Sequence, residues 1–168
     1  MNHVFLGLGT NLGQRRLNLQ RAVVGLAAGM TITAVSPIYE TPPWGMTDQP
    51  HFLNLCLAAR TTLSALALLA FAKNLEAEMG RQPAERWGPR LIDIDLLFYD
   101  NLIIDNEHIT VPHPRLHERT FVLAPLADVA PDFVHPLCGL TVTQMAAAVD
   151  IGEIKPRSDV QLSLAIPF

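Results

Sequence analysis

Two periodicities alternate along the chain. Residues 3–9, HVFLGLG, form an apolar run of strand length, and GLGTNLG at 7–13 reads as the turn from that strand into a helix. In residues 15–29, Leu19, Val23 and Leu26 recur at helical spacing until Gly29 stops the pattern. The β-branched, alternating MTITAVSPIYET at 30–41 predicts an extended segment. HFLNLCLAART at 51–61 alternates strictly, with Leu53, Leu55 and Leu57 on one face and Phe52, Asn54 and Cys56 on the other. Ser64 is placed to cap a second helix of strong helix formers at 65–80, closed by Gly80. RWGPRLIDIDLLFYD at 86–100 then predicts a strand with Asp93 and Asp95 on one face and Ile92, Ile94, Leu96 and Phe98 on the other. DNLIID at 100–105 reads as a turn and a further extended pair, and ERTFVLAPLADVA at 118–130 as a third helix.

Strand, helix, strand, strand, helix, strand is the split βαβ order of an α+β ferredoxin-like sandwich. The expectation is a mostly antiparallel sheet with helices on one face, the other face being left for loops and ligands. One domain over residues 1–150 is expected, with 151–168 as a tail of unassigned role.

Composition narrows the function. A formal charge of -4 and a pI near 5.8 argue against general binding of nucleic acid, so any anion site must be local. No apolar run reaches the roughly 18 residues of a spanning helix, and the N-terminus has no charged leader; a cytoplasmic chain with no membrane partner is expected. Cys56 and Cys138 stand far apart among apolar neighbours, which predicts two buried, reduced thiols rather than a disulfide or a zinc site.

The chemistry gathers at three places. Asp93 and Asp95 would project together, their Cα atoms about 6.5 Å apart. A solvated strand face is the plain alternative, but two acids this close repel each other, and a hard divalent cation relieves that repulsion. Oxygen ligands without neighbouring His or Cys favour Mg²⁺, which completes its shell with water and phosphate. Arg81, Arg86 and Arg90 lie just upstream in a loop containing Gly and Pro, with forks suited to phosphate; pairing with Glu76, Glu78 and Glu85 is the competing account. In TPPWGMTDQPHFLN, residues 41–54, Phe52 and Asn54 share a face that suits a flat heterocycle with an amide edge, unless Phe52 is core and Asn54 caps a turn. His113, Arg115, His117 and Arg119 crowd a third, Pro-rich loop, and His113 and Arg119 are the ones set to reach phosphate. A Walker loop is excluded, since GLGTNLG lacks the Gly-Lys-Ser/Thr ending.

TPPWGMTDQPHFLN, RWGPRLIDIDLLF and VPHPRLHERTFVL, in this order and spacing, closely resemble the 6-hydroxymethyl-7,8-dihydropterin pyrophosphokinases of folate biosynthesis over roughly residues 3–148. The resemblance implies a ferredoxin-like fold and transfer of pyrophosphate from ATP to the pterin hydroxymethyl group with release of AMP. It implies two Mg²⁺ ions on Asp93 and Asp95, with Arg81 and Arg90 neutralising the triphosphate beside them. Phe52 and Phe121 would sandwich the pterin, whose edge would meet Asn54, Asp93 and the chain around Thr41, Pro42 and Trp44. His113 and Arg119 would hold further phosphate oxygens, and the adenine would lie near Leu96, His108 and Thr110. Lys73, where relatives often carry glutamine, would add a contact to ATP, and Glu76 matches an acid close to the site. Residues 82–84, Gln-Pro-Ala, lack a basic residue often found in that loop, Phe52 replaces a tyrosine of some relatives, and His108 replaces an arginine. The substrates are small molecules, and a monomer is expected. A metal-dependent phosphohydrolase and a ligand-binding module without turnover are the competing classes.

Overall fold

The apolar N-terminal run becomes an interior strand of an antiparallel sheet, paired on both edges, in a computed structural model of the chain. The structure describes residues 1–43, 45–83, 88–150 and 154–163. The elements in order are β1 (Asn2–Thr10), α1 (Arg15–Leu26), β2 (Thr31–Val35), β3 (Tyr39–Thr41), β4 (Phe52–Thr61), α2 (Ala65–Glu78), β5 (Asp93–Tyr99), β6 (Ile104–Asp105), β7 (Thr110–Val111), α3 (Thr120–Val129), α4 (Val142–Ala147) and β8 (Lys155–Pro156). The main sheet runs β5-β1-β4-β3-β8, with β2 beside β3 on the same edge of β4, while β6 and β7 form a separate hairpin. Its pairings are antiparallel throughout. This is the ferredoxin-like arrangement the element order predicts.

Alternation along β1 divides the layers. Val4, Leu6 and Leu8 join the core under α1 and α2, together with Leu53, Leu55 and Leu57 of β4 and Ile92, Ile94 and Leu96 around β5. On the opposite face, Phe5, Cys56 and Ala58 pack with Leu97 and Phe98 under α3 and α4. The two helices of the split pattern thus cover one face as expected, and α3 with α4 closes part of the other. What stays open on that second face lies over Gly7 and Gly9, where β1 contributes no side chain.

Several local expectations are corrected. The 30–41 segment is not one strand: Ser36–Ile38 interrupts it, and the Ser36 hydroxyl accepts the Cys56 N–H at 3.0 Å across the break. The β1 strand runs on to Thr10, so Gly7 and Gly9 are strand residues and the turn is confined to Asn11–Gln14. The regular part of α1 ends at Leu26, after which Ala28 and Gly29 close tighter turns on Gly25 and Leu26. Phe98 lies in the α3-side core, not with Ile94 and Leu96, because the β1–β5 register shifts between Phe5 and Leu6 and leaves Leu97 as an extra residue. A bulge of this kind puts consecutive side chains on one face and resets the period. Cys56 is buried, but Cys138 is exposed.

The second helix follows its expected bounds. Ser64 accepts the Ala67 N–H at 3.3 Å, and Gly80 terminates the helix at φ +95°, a left-handed conformation natural to glycine. Residues 154–163 also pack onto the body: β8 adds to the β3 edge, and Val160 and Leu162 lie against the α1/α2-side core.

Candidate active site

Asp93 and Asp95 leave β5 on the open face, as period two requires, and each meets cations from a different direction. Asp93 accepts Arg81 and Arg90, both at 2.9 Å, with the Lys73 ammonium 3.9 Å away. Asp95 accepts Arg119 at 2.8 Å and lies 3.8 Å from Nε2 of His113. Burial works to raise the Asp95 pKa, but His113, Lys73 and the bonded Arg119 outweigh it and hold the group below the usual carboxylate range. Burial pushes His113 itself down, with Asp95 pulling the other way, while Arg119 is the cation hydrogen bonded to Asp95. Arg81 stays cationic: burial disfavours its charge, and Asp93 and Glu76 more than offset that.

Glu76 organises the cations from behind. The residue is only 3% exposed, and its carboxylate accepts Lys73 at 2.8 Å, is hydrogen bonded by Arg81, and takes the Ile94 backbone N–H at 2.6 Å. Lys73 also donates to the Ile94 carbonyl at 2.8 Å. Of the two accounts of the arginines, the pairing with Glu76 is present at Arg81, which also engages Asp93. Arg86 lies outside the described residues, as does Trp44.

Two clefts meet at Arg90. The first, about 740 Å³ including its open mouth, is floored by Gly7 and Gly9 and walled by Thr41, Pro42, Phe52, Asn54, Phe121, Asp93, Asp95 and Arg119. The second, about 610 Å³ counted in the same way, is lined by Lys73, Glu76, Ala77, Arg81, Gln82, Pro83 and Arg90. One is aromatic with an amide in its wall, the other strongly cationic, and the aspartates stand at the junction.

The amide is held in place. Asn54 is buried, and its Nδ2 donates to Thr41 Oγ1 at 2.7 Å across the β3–β4 pair. Its Oδ1 sits over Gly9, where a Cβ would approach to 2.8 Å. The sequence reading missed Gly9, whose neighbour comes from a strand distant along the chain. Phe121 opens α3, with the Arg119 guanidinium 5.7 Å from its ring centroid, and Arg119 Nε is buried without a hydrogen-bond partner.

The remaining candidates are more dispersed. Thr110 hydrogen bonds to Asp105 at 3.1 Å within the small hairpin, and His108 is exposed beside Glu107. The Leu96 side chain is buried among the α1/α2-side residues, leaving only its backbone toward the site. Among the described residues no group of three or more His, Cys, Asp or Glu side chains is set to hold a metal alone. Two carboxylates with no soft donor match a hard cation that keeps water and phosphate in its shell, so the donor set fits Mg²⁺.

The family model for 7,8-dihydro-6-hydroxymethylpterin-pyrophosphokinase matches residues 5–131. The chain belongs to this family. It is similar to the 2-amino-4-hydroxy-6-hydroxymethyldihydropteridine pyrophosphokinase of Methylorubrum extorquens, 45% identical over 152 residues that cover 89% of this chain and 95% of that one. The Bacillus subtilis protein of the same name is 45% identical over 132 residues, 77% of this chain and 79% of its own. Among solved structures, a Plasmodium falciparum HPPK-DHPS triple mutant superposes with a TM-score of 0.76 at 18% identity, covering 92% of this chain. At that identity the likeness speaks for the fold, and this chain spans 47% of that protein. Membership makes the chain an enzyme, a pyrophosphokinase of folate synthesis. No described helix is long and apolar enough to cross a membrane.

Proposed function

We propose that the chain transfers pyrophosphate from ATP to the hydroxymethyl group of 6-hydroxymethyl-7,8-dihydropterin, giving AMP and the pterin diphosphate. The observation that carries this reading is the junction at Arg90 of an aromatic, amide-walled cleft with a cationic one. A donor of several phosphates and a flat acceptor would meet there, beside Asp93 and Asp95. The names of the relatives supply the acceptor.

The pterin ring lies between Phe52 and Phe121. Asn54, its Nδ2 bonded to Thr41, keeps Oδ1 as an acceptor for the ring edge, and the chain at Thr41 and Pro42 bounds that edge. The triphosphate runs along Lys73, Arg81 and Arg90, with His113 and Arg119 on the Asp95 side. The adenine lies by the Leu96 backbone, His108 and Thr110. Asp93 and Asp95 would hold two Mg²⁺ ions, which supply charge neutralisation on the phosphates when bound.

The arginines already engage carboxylate oxygens, and guanidinium forks suit phosphate oxygens equally well, so substrate binding exchanges one oxygen partner for another. Glu76 keeps Lys73 and Arg81 aimed during that exchange. The pterin hydroxyl oxygen attacks the β-phosphorus in line, its proton passing to water, as the bond from that phosphorus to the α,β-bridging oxygen breaks and AMP departs. Catalysis on this account is positioning and charge stabilisation, the usual demands of phosphoryl transfer. The chain is taken to act as a cytoplasmic monomer, with residues 1–150 as the catalytic domain.

The test mixes purified protein with Mg²⁺, ATP and 6-hydroxymethyl-7,8-dihydropterin and separates the nucleotides by chromatography. Pterin-dependent AMP with a pyrophosphorylated pterin is expected. ADP, or phosphate released without pterin, would replace this reading with a phosphohydrolase, and pterin binding without turnover would leave a binding module.

A further inference from the structure

Asn11, at the end of β1, is 1% exposed and touches both of the loops that wall the two clefts. Its Nδ2 donates to Gln49 Oε1 at 3.0 Å and to the Pro50 carbonyl at 2.9 Å. Its Oδ1 accepts the Arg90 N–H at 2.8 Å, and its own N–H donates to the Arg90 carbonyl at 3.0 Å. Gln49 extends the contact within its own loop, its Nε2 donating to the Met46 carbonyl at 2.6 Å. Pro50 lies two residues before Phe52, and Arg90 reaches Asp93.

We propose that Asn11 is a positioning residue that holds the 42–51 loop and Arg90 in register, so that the aromatic cleft and the cationic cleft are set relative to one another. The inference rests on the pyrophosphokinase reading above. Only a planar amide offers two donors and an acceptor on so short a stem. Aspartate keeps the acceptor for the Arg90 N–H but loses both donors and faces two carbonyl-type oxygens with a negative charge. Alanine loses both sides. The two substitutions therefore separate the link to the 42–51 loop from the link to Arg90.

The experiment measures equilibrium binding of the pterin and of ATP with Mg²⁺, together with turnover, for wild type, Asn11→Asp, Asn11→Ala and Gln49→Leu, below each variant's thermal transition. Asn11→Asp should weaken pterin binding by about tenfold or more, the scale of one lost buried hydrogen bond, and leave ATP binding within about twofold. Asn11→Ala should weaken both ligands. Gln49→Leu, at a partly exposed loop position, should repeat the pterin-selective loss and serves if the Asn11 variants do not fold. Equal weakening of both ligands by Asn11→Asp, or unchanged pterin binding in every folded variant, overturns the proposal. Absence of pterin-dependent AMP from the wild type would instead overturn the reaction, and the binding comparison would still decide the role of Asn11.

Discussion

The buried carboxylate of Glu76 accepts the backbone N–H of Ile94 at 2.6 Å, and Ile94 is the residue between Asp93 and Asp95. A side chain of α2 thus fixes the stretch of β5 that aims both aspartates, while its other contacts hold Lys73 and Arg81. Glu76→Ala strands that N–H and removes a counter-charge from two cations. The expected loss of stability is about 2–3 kcal/mol, below the full figure for a broken buried pair because Lys73 and Arg81 keep part of their hydration. Glu76→Gln, which keeps an acceptor for Ile94, should lose less. Urea unfolding of both variants checks this, and equal midpoints for wild type and Glu76→Ala would refute it.

Asp93→Asn and Asp95→Asn should each lower kcat by about three orders of magnitude, the scale of removing a group that stabilises developing charge. The first also takes a carboxylate partner from Arg81 and Arg90 and the second takes one from Arg119, so a modest fall in thermal midpoint should accompany each loss. Chelation of the metal should abolish turnover of the wild type while its circular dichroism is unchanged. Retained turnover in either variant, or in excess chelator, would remove the metal assignment.

Gly9→Ala places a methyl 2.8 Å from Asn54 Oδ1, closer than carbon and oxygen tolerate. Asn54 cannot swing away freely, because Thr41 holds its amide nitrogen. Steady-state kinetics should show the pterin KM raised about tenfold with the ATP KM little changed, the effect of displacing one hydrogen-bonding group in a buried wall. A pterin KM equal to that of the wild type would mean that Asn54 is not at the ring edge.

What could be read along the chain depended on how local its cause was. Asp93 and Asp95 share a face because of the strand period alone, and Leu53, Leu55 and Leu57 fell on the helix side for the same reason. The period failed at Phe98, because the bulge at Leu97 arises from the register against β1 and leaves no mark on β5 itself. Gly9 resembled a turn glycine, and its need is set by the Asn54 side chain from the neighbouring strand. The Thr141–Gln144 capping box that starts α4 was written locally but passed over, since a six-residue helix shows too little periodicity to draw attention. The two residues of β8 form a strand only because β3 offers an open edge.

That edge gives residues 154–163 a measurable part. Arg157 donates to Glu40 at 2.8 Å, and Glu40 also accepts Arg15 at 3.2 Å, one residue before Thr41. Arg15 in turn donates to the His51 carbonyl at 2.8 Å, so the network grips both ends of the 42–51 loop. Arg157→Ala should leave the urea midpoint almost unchanged, since the pair is exposed to solvent that screens it. Ending the chain after residue 154 also removes Val160 and Leu162, which pack half-buried against the core, and should cost about 2–4 kcal/mol, less than two fully buried side chains at roughly 1.5–3 kcal/mol each. Urea midpoints give the comparison, and a truncated chain as stable as the full one would make the tail inert.

The pocket walls are also tied by a bond that titrates. Tyr39 of β3 donates its hydroxyl to Asp128 Oδ2 of α3 at 2.7 Å, joining the strand that carries Thr41 to the helix that carries Phe121. Burial first, then this bond and the Asp128 charge, push the Tyr39 pKa up to about 12. An unfolded tyrosine ionises near about 10. Because the folded value is the higher one, the contribution to stability is whole below pH 10 and is lost as pH rises through 12. The chain has two tyrosines, and Tyr99 is also raised, by burial and then by Asp100. Tyrosinate absorbance of the folded protein should therefore lag well behind that of the urea-denatured chain around pH 10. Tyr39→Phe should cost about 1 kcal/mol at neutral pH, flatten the fall of the urea midpoint above pH 10, and weaken pterin binding more than ATP binding. A folded protein that titrates its full tyrosine absorbance at the unfolded pKa would show that the Tyr39–Asp128 bond does not hold the two walls together.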